Sequence, residues 1–233
     1  INDKYGDKRR TEISYSGEEI SMEDLIPNEE VVITISHLGY IKRTKTDEFR
    51  SQGRGGRGSR GAKTRDTDFV EQMFIAHNHD YLLLFTEQGR CFWMRAFEIP
   101  EASKTSQGRV IQNILSIPSD DKVRAYIKID NLSHEHFINN NYIIFCTKKG
   151  MVKKTIVEAF SRPRVNGINA ITINEGDQLL EAKLTNGNNE IVIANKEGRA
   201  IRFNESKVRP MGRGAAGVKA ITLNGEQDEV IGM

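Results

Sequence analysis

Apolar residues in this chain come in short runs, each broken by a polar turn containing glycine and resumed by a second run that ends in basic residues. Four segments share the pattern: Val31-Val-Ile-Thr-Ile-Ser-His-Leu-Gly39-Tyr-Ile-Lys-Arg43, Tyr81-Leu-Leu-Leu-Phe-Thr-Glu-Gln-Gly89-Arg-Cys-Phe-Trp-Met-Arg95, Tyr142-Ile-Ile-Phe-Cys-Thr-Lys-Lys-Gly150-Met-Val-Lys-Lys154 and Glu190-Ile-Val-Ile-Ala-Asn-Lys-Glu-Gly198-Arg-Ala-Ile-Arg202. Runs of this length, rich in β-branched and aromatic residues and punctuated by glycine, predict β-hairpins. The turn glycines lie 89−39 = 50, 150−89 = 61 and 198−150 = 48 positions apart, and an insertion around residues 131–141 accounts for the longest gap. A period near 50 residues predicts a propeller-like array.

Each hairpin is followed by a tail bearing glycine and arginine: Gln52 to Gly58, Ser106-Gln-Gly-Arg109, Arg162-Pro-Arg-Val-Asn-Gly167 and Arg209-Pro-Met-Gly-Arg-Gly214. After the later tails come further apolar stretches, Ile111 to Leu115, Ala170 to Ile173 and Ala220 to Leu223, and then acid-led runs opening at Asp121, Asp177 and Asp228. The expectation is four strands per unit, an all-β fold of about four blades over residues 31–233, with repeats starting near 31, 81, 142 and 190. Residues 1–30 read as an acidic linker. Helical periodicity is scarce, and Ser21-x-x-Asp24 is at most a weak capping signal.

Charge sharpens this reading. The formal net charge is only +2, but it is unevenly distributed. Residues 1–30 hold four bases (Lys4, Lys8, Arg9, Arg10) against nine acids, whereas residues 42–65 hold nine bases against Asp47 and Glu48. Segregation of this kind points to a polyanionic partner. The densest stretch is Gln52-Gly53-Arg54-Gly55-Gly56-Arg57-Gly58, where glycine lets backbone N–H groups approach phosphate and arginine supplies planar, permanently charged forks. Taken alone, such a stretch is also compatible with a solvated linker.

Other chemistries are poorly supported. Gly56-Arg-Gly-Ser-Arg-Gly61-Ala-Lys63-Thr64 lacks the adjacent Gly-Lys, preceding strand and following helix of a nucleotide-binding P-loop. His37, His77, His79, His134 and His136 have no third ligand at a metal-binding spacing. No nucleophile-elbow sequence occurs, and Tyr5, Tyr15, Tyr40, Tyr81, Tyr126 and Tyr142 read mostly as strand packing residues, as do Phe92 and Trp93. Cys91 and Cys146, the only cysteines, support neither a disulfide framework nor a Cys-x-x-Cys site and suit a reducing compartment. No apolar run approaches the roughly 20 residues of a membrane span. The N-terminus lacks an initiator Met, so a piece of a longer protein is expected.

Together these features resemble the C-terminal domain of the DNA gyrase A subunit, over essentially the whole chain. Lys4-Tyr-Gly-Asp-Lys-Arg-Arg-Thr-Glu-Ile13 is similar to the tail leaving that subunit's breakage-reunion core, and Glu23-Asp-Leu-Ile26 with Val31 to Tyr40 to the entry into the first blade. Gln52 to Gly58 resembles the gyrase A box, usually Gln-Arg-Arg-Gly-Gly-Lys-Gly, with Gly53 in place of an arginine and Arg57 in place of a lysine. The box separates gyrase from topoisomerase IV, whose equivalent domain lacks it or carries a degraded version.

The resemblance implies a β-pinwheel, a disc of six four-stranded blades that exchange strands, of which about four would be present here. It implies that duplex DNA wraps around a basic rim, so that the whole enzyme introduces negative supercoils. Expected DNA-binding residues are the box residues Gln52, Gly53, Arg54, Gly55, Gly56, Arg57 and Gly58, together with Lys42, Arg43, Arg60, Lys63, Arg65, Arg109, Lys153, Lys154, Arg162, Arg164, Arg209 and Arg213. No catalytic residue, metal or cofactor is expected in this stretch. The resemblance places DNA cleavage, ATP and Mg on other parts of the enzyme. Its implied partners are a gyrase B subunit, together with a second copy of the gyrase A chain, in the bacterial cytoplasm at the nucleoid. The alternatives are a propeller-like scaffold for an acidic protein and the equivalent domain of topoisomerase IV. RNA binding is disfavoured because the basic loops lack interleaved aromatics for stacking.

Overall fold

A computed structural model describes residues 22–49, 54, 68–225 and 227–233. Each predicted hairpin is present: β1 (Glu30–Ser36) with β2 (Tyr40–Lys45), β4 (Tyr81–Thr86) with β5 (Arg90–Arg95), β8 (Tyr142–Thr147) with β9 (Met151–Ile156), and β12 (Glu190–Asn195) with β13 (Ala200–Asn204). The same turn closes all four. The glycine N–H donates to the carbonyl three residues earlier, for instance Gly39 to Ser36 at 2.9 Å and Gly150 to Thr147 at 3.0 Å. Gly39, Gly89, Gly150 and Gly198 all have φ near +81°, a conformation glycine adopts without a Cβ penalty.

A further strand follows each hairpin in its own repeat and pairs antiparallel with that hairpin's first strand. These are β3 (Val70–His77), β7 (Val123–Ile129), β11 (Leu179–Thr185) and β15 (Val230–Gly232). An aspartate introduces each one and caps the hairpin turn. Asp68, Asp121 and Asp177 accept from the backbone N–H of Leu38, Gln88 and Lys149 at 3.0, 3.2 and 2.9 Å, and Asp228 accepts from Asn195 and Asn224 at 2.6 and 3.0 Å.

The fourth strand of a blade comes from the next repeat. β6 (Arg109–Val110) pairs with β2, β10 (Ile168–Asn169) with β5, and β14 (Val218–Lys219) with β9. The sheets therefore run β3-β1-β2-β6, β7-β4-β5-β10 and β11-β8-β9-β14, with a three-stranded β15-β12-β13 last. This corrects one expectation: the short paired strands begin two residues before Ile111, Ala170 and Ala220. Residues Ile111–Asn113 form a 3₁₀ turn instead. The insertion near residue 131 contains a short α-helix, Glu135–Asn140.

The hydrophobic cores lie between blades. Leu82, Leu84, Phe92 and Met94 pack with Ile33, Ile35 and Ile41, while Leu83, Phe85 and Trp93 pack with Ile143, Phe145 and Phe160. β4 is buried on both faces, hence its unbroken apolar run. β12, in the last described blade, alternates buried and exposed residues along most of its length.

Candidate nucleic-acid interface

β3, β7 and β11 converge: Glu71 and Gln72, Arg124 to Lys128 and Glu181 to Leu184 line one cavity of about 510 Å³. The opposite sheet edges, formed by β6, β10 and β14, consequently face outward. Cations on the inner side are paired. Arg124 bonds Glu87 at 2.6 Å, Lys128 lies 3.0 Å from Asp130 and 3.5 Å from Asp80, and Lys183 lies 3.4 Å from Glu181.

The loops that cross to the outer edge carry a different set of cations. Arg109, Arg162, Arg164 and Arg209 are exposed, Arg213 is partly exposed, and none forms an ion pair among the described residues. Two crossing loops are held against the preceding blade by close backbone contact. Gly108 has φ +88° and Gly217 φ +97°, and a Cβ on either would lie 2.5 Å from the carbonyl oxygen of Ile41 or Val152. Only glycine suits such an approach.

Arg54 is exposed. Gln52, Gly53, Gly55, Gly56, Arg57, Gly58, Arg60, Lys63 and Arg65 lie outside the described residues.

Four predicted contacts need correction. Lys42, Lys153 and Lys154 are 1%, 0% and 4% exposed, and their ammonium groups face inward. Lys42 Nζ donates to the carbonyls of Ser103, Lys104 and Ser106 at 3.0, 2.7 and 3.0 Å. Lys153 Nζ donates to Ala170 and Arg213 carbonyls at 2.6 and 2.7 Å, and Lys154 Nζ to the Glu205 carbonyl at 2.8 Å. The Arg43 side chain is only 14% exposed, bonds Ile99 and Asn78, and pairs with Glu101 at 3.4 Å. All four sit on a hairpin's second strand, where the next repeat packs.

Burial pulls the Lys42 ammonium below its ordinary pKa, partly offset by Glu48. Burial, with the nearby Arg213 charge, lowers Lys153 to about 8. The Cys146 thiol is pushed up to about 12, mainly by burial, and Cys91 is raised for the same main reason. Both cysteines are free and buried, so they act as small core residues.

Several exposed cations were not singled out from the sequence: Lys122, Lys149, Lys207 and Lys219. Lys219 lies on β14, two residues after Gly217, as Val110 follows Gly108 on β6. Aligning the tails on those glycines rather than on their arginines would have revealed it. The acidic segment does not rest on the crossing loops where it is described. Glu23 pairs with Arg95 and lies 3.6 Å from His79. Among the described residues, no group of three or more His, Cys, Asp or Glu could hold a metal ion, and no helix is long and apolar enough to cross a membrane.

The repeat units seen in the fold coincide with four matches to the family model described as DNA gyrase C-terminal domain, beta-propeller, over residues 30–77, 80–127, 141–186 and 189–233. The chain belongs to the DNA gyrase C-terminal domain family. Its relatives include the DNA gyrase A proteins of Clostridium acetobutylicum, 44% identical over 219 residues and 94% of this chain, and of Staphylococcus epidermidis, 44% identical over the whole chain. The chain spans 26% of the length of each. Among solved structures, the C-terminal domain of DNA topoisomerase IV superposes with a TM-score of 0.73 at 31% identity, over 88% of this chain and 61% of that one. A DNA gyrase A C-terminal domain superposes with a TM-score of 0.65 at 23% identity, over 86% of this chain and 63% of that one, and so supports the fold alone.

Proposed function

We propose that this chain is a non-catalytic DNA-binding module that wraps duplex DNA along the outer edge of its blades. It does so within a gyrase A chain that works with a second copy of itself and with gyrase B. The observation that carries this reading is the placement of arginines that form no ion pair among the described residues. Arg162, Arg164 and Arg209 lie on the crossing loops and Arg109 at the end of one, on the first residue of β6, whereas the cations facing the axis are neutralised by carboxylates. Guanidinium groups spaced along a convex edge neutralise successive phosphates and release counterions, which offsets the elastic cost of bending the duplex. Such contacts carry little sequence information. Arg54 and Arg57, with the glycines around them, are proposed to anchor one end of this path, joined by Arg60, Lys63 and Arg65.

A wrap of fixed hand gives the whole enzyme directional strand passage and negative supercoiling. ATP and Mg belong to its other parts, in the bacterial cytoplasm at the nucleoid. The structural likeness to a topoisomerase IV domain favours a second reading, the equivalent module of that enzyme. The gyrase-like segment at residues 52–58 and the relatives named as gyrase A proteins favour the first.

The test is duplex affinity against salt for the chain and for an R109A/R164A/R209A variant. If each arginine neutralises one phosphate, the variant loses about three units from the slope of log affinity against log salt. An unchanged slope, with binding insensitive to duplex length, would refute the reading in favour of a scaffold for an acidic protein.

A further inference from the structure

Three positions after its turn glycine, each of the first three hairpins places a side chain beneath the tail of the next repeat. In blades 1 and 3 that residue is lysine, Lys42 after Gly39 and Lys153 after Gly150. Phe92 occupies the position in blade 2, where a Cβ on Gly167 would lie 2.8 Å from its ring. The tails above Lys42 and Lys153 carry Arg109 and Arg213.

An ammonium group has three donors. Lys42 directs all three at carbonyls of a single loop, residues 103–106, one residue short of Gly108 and Arg109. Nothing remains to donate to a phosphate. Lys153 holds Arg213 through that residue's own carbonyl and ties it to Ala170. Both lysines are buried. Burying a charge is unfavourable unless acceptors surround it, and converging carbonyls meet that need only while the loop keeps its course.

We propose that Lys42 and Lys153 are positioning residues: each fixes the crossing loop of the following repeat so that Arg109 and Arg213, respectively, are presented at the outer edge. This rests on the DNA-binding reading above and assigns those lysines a role in it without contact to DNA. A direct phosphate contact and a clamp make opposite predictions in a double-mutant cycle.

The experiment measures duplex affinity against salt for the chain and for K42M, R109A and K42M/R109A, alongside amide hydrogen exchange of residues 103–109 without DNA. K42M is expected to lose about one unit of salt slope, as R109A does, and the double variant no more than either single change. Exchange across residues 103–109 should rise in K42M while β1 stays protected. A double variant that loses about two units would make Lys42 a direct contact and overturn the proposal, as would unchanged slope and exchange in K42M. If R109A alone leaves the slope unchanged, the DNA-binding reading fails at that residue, and the exchange result decides the clamp independently. Should K42M fail to fold, K153M with R213A gives the same cycle, read by exchange over residues 209–217.

Discussion

Lys154 and Glu205 face each other in the interior between the third and fourth blades, the ammonium 3.7 Å from one carboxylate oxygen and 2.8 Å from the Glu205 carbonyl. Asn189 N–H and the Thr185 hydroxyl complete the carboxylate's partners at 2.7 and 2.8 Å. Removing one member of such a pair leaves a buried charge uncompensated. K154M should therefore destabilise the chain by about 3 kcal/mol in urea unfolding, and adding E205Q should restore part of the loss. Two other groups make stability depend on pH. Burial pushes the Asp228 carboxyl up, but hydrogen bonds from Asn224, Glu197, Asn195 and Glu229 outweigh it and hold the group below its ordinary value. Its contribution is present above the unfolded pKa of about 4 and is lost as pH falls through the folded value, so D228N should flatten the acid limb of a stability profile. Lys153 acts with the same sign in a higher window: its folded pKa of about 8 lies below the ordinary 10.5. Between these values the unfolded chain holds a proton that the folded chain lacks, so this group makes stability rise with pH. Urea midpoints below and above pH 8 should show the rise in the parent chain and a smaller one in K153M.

The exchanged strands are the elements on which one blade depends on the next, and their glycines report the tightness of that contact. A Cβ at residue 217 would meet the Val152 carbonyl at 2.5 Å and Lys153 Cβ at 3.1 Å, whereas at residue 198 nothing lies within 4 Å. Both residues have positive φ. G198A should then cost about 1 kcal/mol from conformation alone, and G217A about 3 kcal/mol with release of β14, measured by thermal unfolding and exchange at residues 218–219. The hairpins were legible in the sequence because their apolar runs exceed one pleat repeat and end at glycine. β6, β10 and β14 were not, because a two-residue strand has no periodicity and its partner lies in another repeat. β3 was overlooked because Val70, Met73 and Ile75 are exposed and give no clear alternation of buried apolar positions. The candidate site was legible as loops and misread as strand ends. Exposed Arg109 and buried Lys42 are both basic residues near a turn, and only the packing of the following repeat separates them.

Among the described residues the molecule is a chain of blades in which the loops carrying Arg109 and Arg213 are held by the preceding blade, which fixes the spacing of those cations along one edge. Rigidity distinguishes wrapping from simple adhesion, because phosphates can follow a curve only if the cations keep their spacing. The most direct measurement is therefore topological. Nicked circular duplex is sealed by ligase in the presence of the chain, and its linking number is read after the protein is removed. A wrapped path predicts a shift of one sign that grows with the number of bound chains and is lost in the R109A/R164A/R209A variant. Sealed circles with an unchanged linking number, despite bound protein, would contradict the account.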